Sequence, residues 1–278
     1  MKDEVPGNLP SYSPDRGQFR LRGKRARSLT KIRPTILALP FLKLLSHRQI
    51  VEVEGLKLYL DPTTHLGQSI INHGTYEAET IRLFRQHVKE GDVVLDIGAN
   101  EGFFSALAKE LAGPTGRVIA IEPQGRLQDI LEINLALNGG AQARVVKAVI
   151  GEEDQGTVDI NLYPSSNTGA TSVVRRYRFR AKTEAVRTRT PASLLAEFDC
   201  CAFDFVKIDV EGYEPEVVRS LAPLLEQKQV GKLLLDYHES ILRMRGIDPV
   251  ITHELVLKSG MRATEGMIGS GYVLYARD

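Results

Sequence analysis

"VVLDIGANEGFF", Val93 to Phe104, is the stretch that decides the fold. Four of the five residues before Gly98 are apolar, as in a strand buried on both faces, and "FFSALAKELA" after it carries apolar residues at helical spacing. Gly98, Asn100 and Gly102 stand between the two. A strand therefore passes into a helix through a turn that needs bare or left-handed backbone.

The same alternation repeats on both sides. Val118–Glu122 leads to a helix near Leu127–Asn138, and Arg144–Ile150 leads to a long irregular insert. Phe203–Asp209 leads to a helix near Pro215–Leu225, and Lys232–Asp236 follows. Upstream, "QIVEVEGLKLYLD" alternates apolar and polar positions around Gly55, the pattern of a β-hairpin. "TYEAETIRLFRQHVKEGD" sets Ile81, Phe84 and Val88 at helical spacing before Gly91. The final "GMRATEG" and "GYVLYARD" are strand-like pieces joined by "MIGSG", which predicts an antiparallel last strand. The expectation is an α/β, doubly wound, Rossmann-like sheet, mostly parallel, with an N-terminal hairpin and helical extension. Residues 1–48 read as a basic arm and apolar segment, and 49–278 as one domain, with the hairpin and helix at 49–90 and a substrate-loop insert at 151–198.

Composition narrows the class. The 278 residues are 42% hydrophobic, enough for a full core. Lysine plus arginine number 36 against 35 acids, so global charge gives no reason to expect nucleic acid. The cysteines, Cys200 and Cys201, are adjacent; a bridge between them would be strained, and ordinary burial in a reduced, cytoplasmic protein is expected. Charge is uneven, however: eight basic residues and no acid lie between Arg16 and Arg33. The following "PTILALPFLKLL", Pro34 to Leu45, falls short of the roughly 20 apolar residues of a membrane span. That arm reads either as a solvated leader or as a peripheral contact with an anionic membrane.

In a doubly wound sheet the ligand lies beyond the carboxyl ends of the strands, where strand order reverses. A dinucleotide would want G-x-G-x-x-G; here Asp96-x-Gly98-x-Asn100-x-Gly102 puts a carboxylate at the turn, which repels pyrophosphate and suits a cation. A nicotinamide oxidoreductase is thereby disfavoured. Glu122 ends the second strand, placed to accept both hydroxyls of a ribose. A ligand with ribose, adenine and a positively charged amino-acid arm, but no phosphate, is S-adenosylmethionine. Asp96 would face the amino-acid or sulfonium side.

With these residues the sequence resembles the FkbM-type S-adenosylmethionine-dependent methyltransferases of the class I superfamily. The resemblance runs over most of 72–240, in "HGTYEAET", "DVVLDIGANEGFFSALAKELA", "GRVIAIEP", "LEINLALNG", "NTGATSV", "FDFVKIDVEGYEPEVVRSL" and "LLLDYHE". It implies cofactor contacts from Glu77, Asp96, Gly98, Asn100, Gly102, Glu122 and Pro123, and O-methylation of a hydroxyl on a sugar, glycan, polyketide or other secondary metabolite. Methylation of nitrogen, a non-catalytic binding role for the scaffold, and a homodimer are left open.

An alcohol is a poor nucleophile until its proton is taken, so a base within hydrogen-bond reach is expected. Asp209 and Glu211 end the strand after the insert and His238 ends the next; His238 is the first choice as base, with Asp209 orienting it or the substrate. Asp209 and Glu211 also have the chemistry to hold a divalent ion, though two acids do not by themselves support one. The remaining histidines, His47, His65, His73, His87 and His253, have no spacing that suggests zinc. Tyr213 serves the turn or lines the substrate cleft, and "RRYRFRAK" (Arg175 to Lys182) is a charged strand edge or a lure for an anionic substrate.

Overall fold

The computed structural model describes residues 47–163, 168–174 and 182–277. The basic run, the apolar segment after it and most of "RRYRFRAK" lie outside the described residues. The hairpin pairs β1 (Gln49–Val53) with β2 (Leu56–Leu60) through Glu54 and Gly55, both with positive φ, the backbone a two-residue turn demands. Helix α1 (His65–His73) starts at Thr64, whose hydroxyl accepts from the Gly67 amide, and α2 (Ala78–His87) stops where Val88 turns extended.

Beyond these, strands and helices alternate as the apolar runs predict. They are β3 (Val93–Ile97), α3 (Phe103–Ala112), β4 (Arg117–Ile121), α4 (Gln128–Ala136) and β5 (Gln142–Val146). After the insert come β9 (Phe203–Ile208), α6 (Glu214–Glu226), β10 (Val230–Asp236), α7 (Glu239–Met244), α8 (Pro249–Lys258), β11 (Arg262–Gly266) and β12 (Tyr272–Ala276). Seven strands form one sheet in the order β11-β12-β10-β9-β3-β4-β5, parallel except for β12, which runs against β10 and β11. Strand order reverses between β3 and β9.

The insert between β5 and β9 is more regular than its sequence suggests. Arg144–Ile150 is not one strand: it breaks after Val146, and β6 (Val149–Ile150) joins β7 (Thr157–Leu162) and β8 (Lys182–Arg189) in a separate three-stranded sheet. Helix α5 (Pro191–Glu197), capped by Thr190, returns the chain to the main sheet. Cys201 is exposed, so the burial expected of the pair fails there, while Cys200, half-buried in the turn before β9, packs against the core: adjacent residues in a turn point to opposite sides.

Period-two alternation divides the core. Val94, Val118, Phe205 and Leu234 face α2, α3 and the hairpin, while Leu95, Ile119, Val206 and Leu233 face α6 and α8. Phe84, Phe104 and Phe205 pack with ring centroids 4.9–5.1 Å apart across the first face. Among the described residues no helix is long and apolar enough to cross a membrane.

Candidate functional site

A cavity of about 290 Å³ opens beyond the carboxyl ends of β3, β4, β9 and β10, at the reversal of strand order. Of the residues singled out from sequence, Glu77, Gly98, Asn100, Glu122, Pro123, Asp209, Glu211 and His238 line it, and Tyr213 does too. Asp96 and Gly102 do not; they lie beneath the floor.

The turn after β3 explains itself from the protein's own packing. Gly98 has φ 89°, and a side chain there would overlap the Asp209 carbonyl oxygen of the neighbouring strand; at Gly102, φ 88°, it would overlap Leu131. The bare backbone is thus required by β9 and α4 as well as by any ligand. The Gly98 and Ala99 amides both donate to the Ile121 carbonyl at 2.9 Å, which binds the turn to β4.

Glu122, at the end of β4, is almost wholly buried, and each carboxylate oxygen accepts one main-chain amide: Asn100 on Oε2 and Gln124 on Oε1, both at 2.9 Å. Burial pushes its pKa up to about 7, against the pull of those amides. A carboxylate has about four lone-pair sites, so both oxygens keep capacity toward the cavity, where a ribose diol would present its hydroxyls. Asn100, left-handed at φ 52°, accepts from the Thr168 hydroxyl at 2.8 Å. Gln124 bonds the Thr168 carbonyl and the Thr171 hydroxyl, so the insert becomes a wall of the site.

On the other side of the reversal, charges gather instead. β3 and β9 pair with Asp96 opposite Lys207, so Asp96, Lys207 and Asp209 share one face of the sheet. The Lys207 ammonium, nearly inaccessible, lies 3.0 Å from Asp209 Oδ2, 3.9 Å from Asp96 Oδ1 and 5.1 Å from the centre of the Phe104 ring. Burial lowers its pKa, but Asp209, Asp96 and Glu77 more than reverse this and hold it well above the ordinary lysine range. Asp96 accepts the Ser105 hydroxyl at 2.5 Å on Oδ2; its pKa is raised by burial, and Oδ1 has no hydrogen bond. Burial and Asp209 likewise raise Glu77, which precedes α2 with φ 40°.

His238 is anchored from behind. Its Nδ1 lies 2.7 Å from Glu214 Oε1, and Nε2 faces Asp209 Oδ1 at 3.8 Å and Glu211 Oε2 at 3.7 Å. Burial works against charge on the ring, yet the bond to Glu214 and the fields of Asp209 and Glu211 outweigh it and push the pKa up to about 10. At neutral pH the ring therefore already holds a proton, which it would have to give up before serving as the base expected from its strand-end position. Asp236 is pushed up to about 7 by burial and the neighbouring Asp209.

Sequence reading passed over Lys207, Asp236, Glu214, Tyr76 and His65. A lysine in the apolar "FDFVKID" reads as solvated, yet its position two before Asp209 puts both on one face. Asp236 ends a strand as Asp209 does, a signal overlooked beside His238. Tyr76 lines the cavity with its ring edge-on to Phe103 at 5.5 Å, and His65 lies beside it. His87 and His253 are bonded to Glu265 and Tyr275.

The hairpin clasps the glycine turn from outside. Arg48 forms a 2.6 Å ion pair with the buried Glu101. Asn134 of α4 accepts from the Tyr59 amide at 2.5 Å and donates to the Glu101 carbonyl at 2.6 Å. The lining combines the groups that the adenosyl ligand expected from sequence would need: a strand-end carboxylate at Glu122, apolar walls at Ile97, Ile121 and Ile150, and the acids Glu77, Asp209 and Glu211.

Comparison with known proteins identifies the family. A family model described as Methyltransferase FkbM domain matches residues 96–246. AMB antimetabolite synthetase AmbE of Pseudomonas aeruginosa is 26% identical over 77% of this chain and 12% of that protein. A protein-L-isoaspartate O-methyltransferase of Methanopyrus kandleri is 29% identical over 48% of this chain and 58% of its own length. The chain thus spans less than two thirds of either curated relative. Among solved structures, Aeropyrum pernix fibrillarin with natively bound S-adenosyl-L-methionine has 14% identity, a TM-score of 0.40 and coverage of 82% of both chains. A TehB-like SAM-dependent methyltransferase of Corynebacterium glutamicum has 11% identity, a TM-score of 0.40, and coverage of 76% of this chain and 94% of that one.

Proposed function

The chain belongs to the FkbM methyltransferase family; from that premise we propose that it is an S-adenosylmethionine-dependent methyltransferase and that it methylates a hydroxyl of a sugar, glycan, polyketide or other secondary metabolite. The observation that carries this is the wall opposite Glu122, where Asp209 and Glu211 stand 3.7–3.8 Å from a charged His238 ring. Carboxylates accept the hydrogen of a hydroxyl and so can orient its oxygen. Similarity to an antimetabolite synthetase supports an acceptor from secondary metabolism.

The bound cofactor supplies an activated methyl group. Glu122 would hold the ribose, with Pro123 shaping the strand end, and Gly98 and Asn100 would bring main chain to the amino-acid arm. Glu77 would face the cationic end. Asp96 and Gly102 act from beneath, fixing Ser105 and α3. Asp209 and Glu211 would orient the acceptor oxygen, and His238 keeps both in place. Positioning of this kind supplies much of the rate of an in-line displacement.

Calorimetric titration of S-adenosylmethionine and S-adenosylhomocysteine, with NAD as control, checks the cofactor half; binding of the adenosyl ligands alone, weakened at least tenfold in Glu122→Ala, is expected. Methyl transfer from isotope-labelled cofactor to paired hydroxyl and amine acceptors checks the other half. Labelled ethers are the expected product; labelled methylamines alone would overturn the oxygen assignment.

A further inference from the structure

We propose that Asp209, Asp236 and the Nε2 nitrogen of His238 form a divalent-cation site that seats the acceptor oxygen. The three side chains come from the ends of the adjacent strands β9 and β10, and one ligand atom from each lies within 4.8 Å of the others. All three line the cavity.

The orientation of each group matters more than its presence. Glu214, fully buried, takes His238 Nδ1 at 2.7 Å, so Nε2 is the nitrogen that remains, and an ion bound there would displace the proton it holds in the ion's absence. Lys207 takes Asp209 Oδ2 at 3.0 Å, so Oδ1 is the oxygen that remains. Those two atoms face each other at 3.8 Å, too far for a hydrogen bond. Two ligands about 2.1 Å from one ion stand about 3 Å apart at right angles and about 4.2 Å apart in line, and 3.8 Å lies between. A histidine whose far nitrogen is held by a carboxylate is the usual outer support of a metal site.

A second observation is independent of that pair. The Asp236 carboxylate faces Asp209, His238, Lys207 and Glu77, and among the described residues no hydrogen-bond donor reaches it. With Glu211 and Glu214, five carboxylates surround two basic side chains, an excess of negative charge that a dipositive ion offsets. Two carboxylates with one imidazole suit Mn²⁺ or Mg²⁺ with open positions for water or an acceptor hydroxyl, while Zn²⁺ prefers more nitrogen or sulfur. The role given to the ion rests on the hydroxyl-methylation reading; its binding does not.

The test is titration of Mn²⁺ into metal-free full-length protein, with free ion followed by electron paramagnetic resonance and S-adenosylhomocysteine binding followed in parallel by calorimetry. One tight site is expected, weakened at least tenfold in both Asp236→Asn and His238→Gln, with adenosyl affinity retained and Mg²⁺ competing. A free-ion signal undiminished at millimolar Mn²⁺, in protein that binds S-adenosylhomocysteine, overturns the proposal. So does Mn²⁺ affinity that both variants leave unchanged. Mn²⁺ binding lost in the variants, in a protein that binds neither adenosyl ligand, would uphold the cation site and sink the cofactor assignment instead.

Discussion

The two halves of the cavity are built by different means. At the ends of β3 and β4 the key carboxylate, Glu122, is held by two main-chain amides, that of Asn100 in the turn after β3 and that of Gln124 two residues on. At the ends of β9 and β10 the carboxylates are held by ions drawn from separate elements: Lys207 from within β9, Glu214 from α6 and His238 from the end of β10. Main-chain hydrogen bonds are fixed once the backbone is fixed, whereas buried ion clusters depend on every member being present. The first half should therefore tolerate side-chain loss nearby, and the second should not.

Removal of Lys207 tests that difference most severely. Lys207→Met leaves the buried Asp96 and the half-buried Asp209 without their cation, and a loss of about 3–5 kcal/mol in urea unfolding is expected; a loss under about 1 kcal/mol would show that the acids simply take up protons. The Glu122 carboxyl comes next, through pH. Its folded pKa, about 7, stands above the ordinary value of 4.5, so the folded state binds the proton more tightly between those values. Stability contributed by this group falls as pH rises through that window, by at most about 3 kcal/mol. The fall should vanish in Glu122→Gln, and adenosyl affinity of the wild type should rise over the same range, because the ribose hydroxyls donate to the ionised form.

Smaller effects sharpen the picture. Asn134→Ala removes two hydrogen bonds that join the hairpin to the glycine turn and should lower unfolding free energy by about 2 kcal/mol, with weaker adenosyl binding as its signature. Thr168→Val leaves Asn100 Oδ1 without its hydroxyl donor. About 1 kcal/mol is expected, and a larger effect would mean that the insert holds the glycine turn more firmly than a single bond implies.

The same contrast governs what the sequence reveals. Val93–Ile97, Phe203–Ile208 and the antiparallel β12 are legible because buried strands need apolar runs, and Glu122 is legible because a strand end before proline has one direction to point. β7 and β8 escape notice for different reasons: "TVDINL" alternates polar and apolar residues as a half-buried strand does, a signal passed over inside the insert, whereas "KTEAVRTR" is largely polar and acquires a buried face only where Val186 meets Ile160. Lys207 is half hidden: its place two before Asp209 gives the shared face, but nothing in the run tells that Asp96 of β3 pairs opposite it, and Glu214 likewise finds His238 only in the fold; Asp236, a strand-end acid like Asp209, is legible. His238 is half legible. Its address beside the cavity follows from the strand, while its charge follows from Glu214, 24 residues upstream.

The clasp formed by Asn134 also sets an order of events during synthesis. Tyr59 leaves the ribosome 75 residues ahead of the side chain that will accept its amide, a delay of roughly 4–15 s at 5–20 residues per second. During that interval the hairpin, with its apolar face uncovered, is the part of the domain most exposed to aggregation or to a chaperone. The first of the described elements to be made is thus the one whose completion waits on the nascent chain, and slower translation between residues 60 and 134 would lengthen its vulnerability.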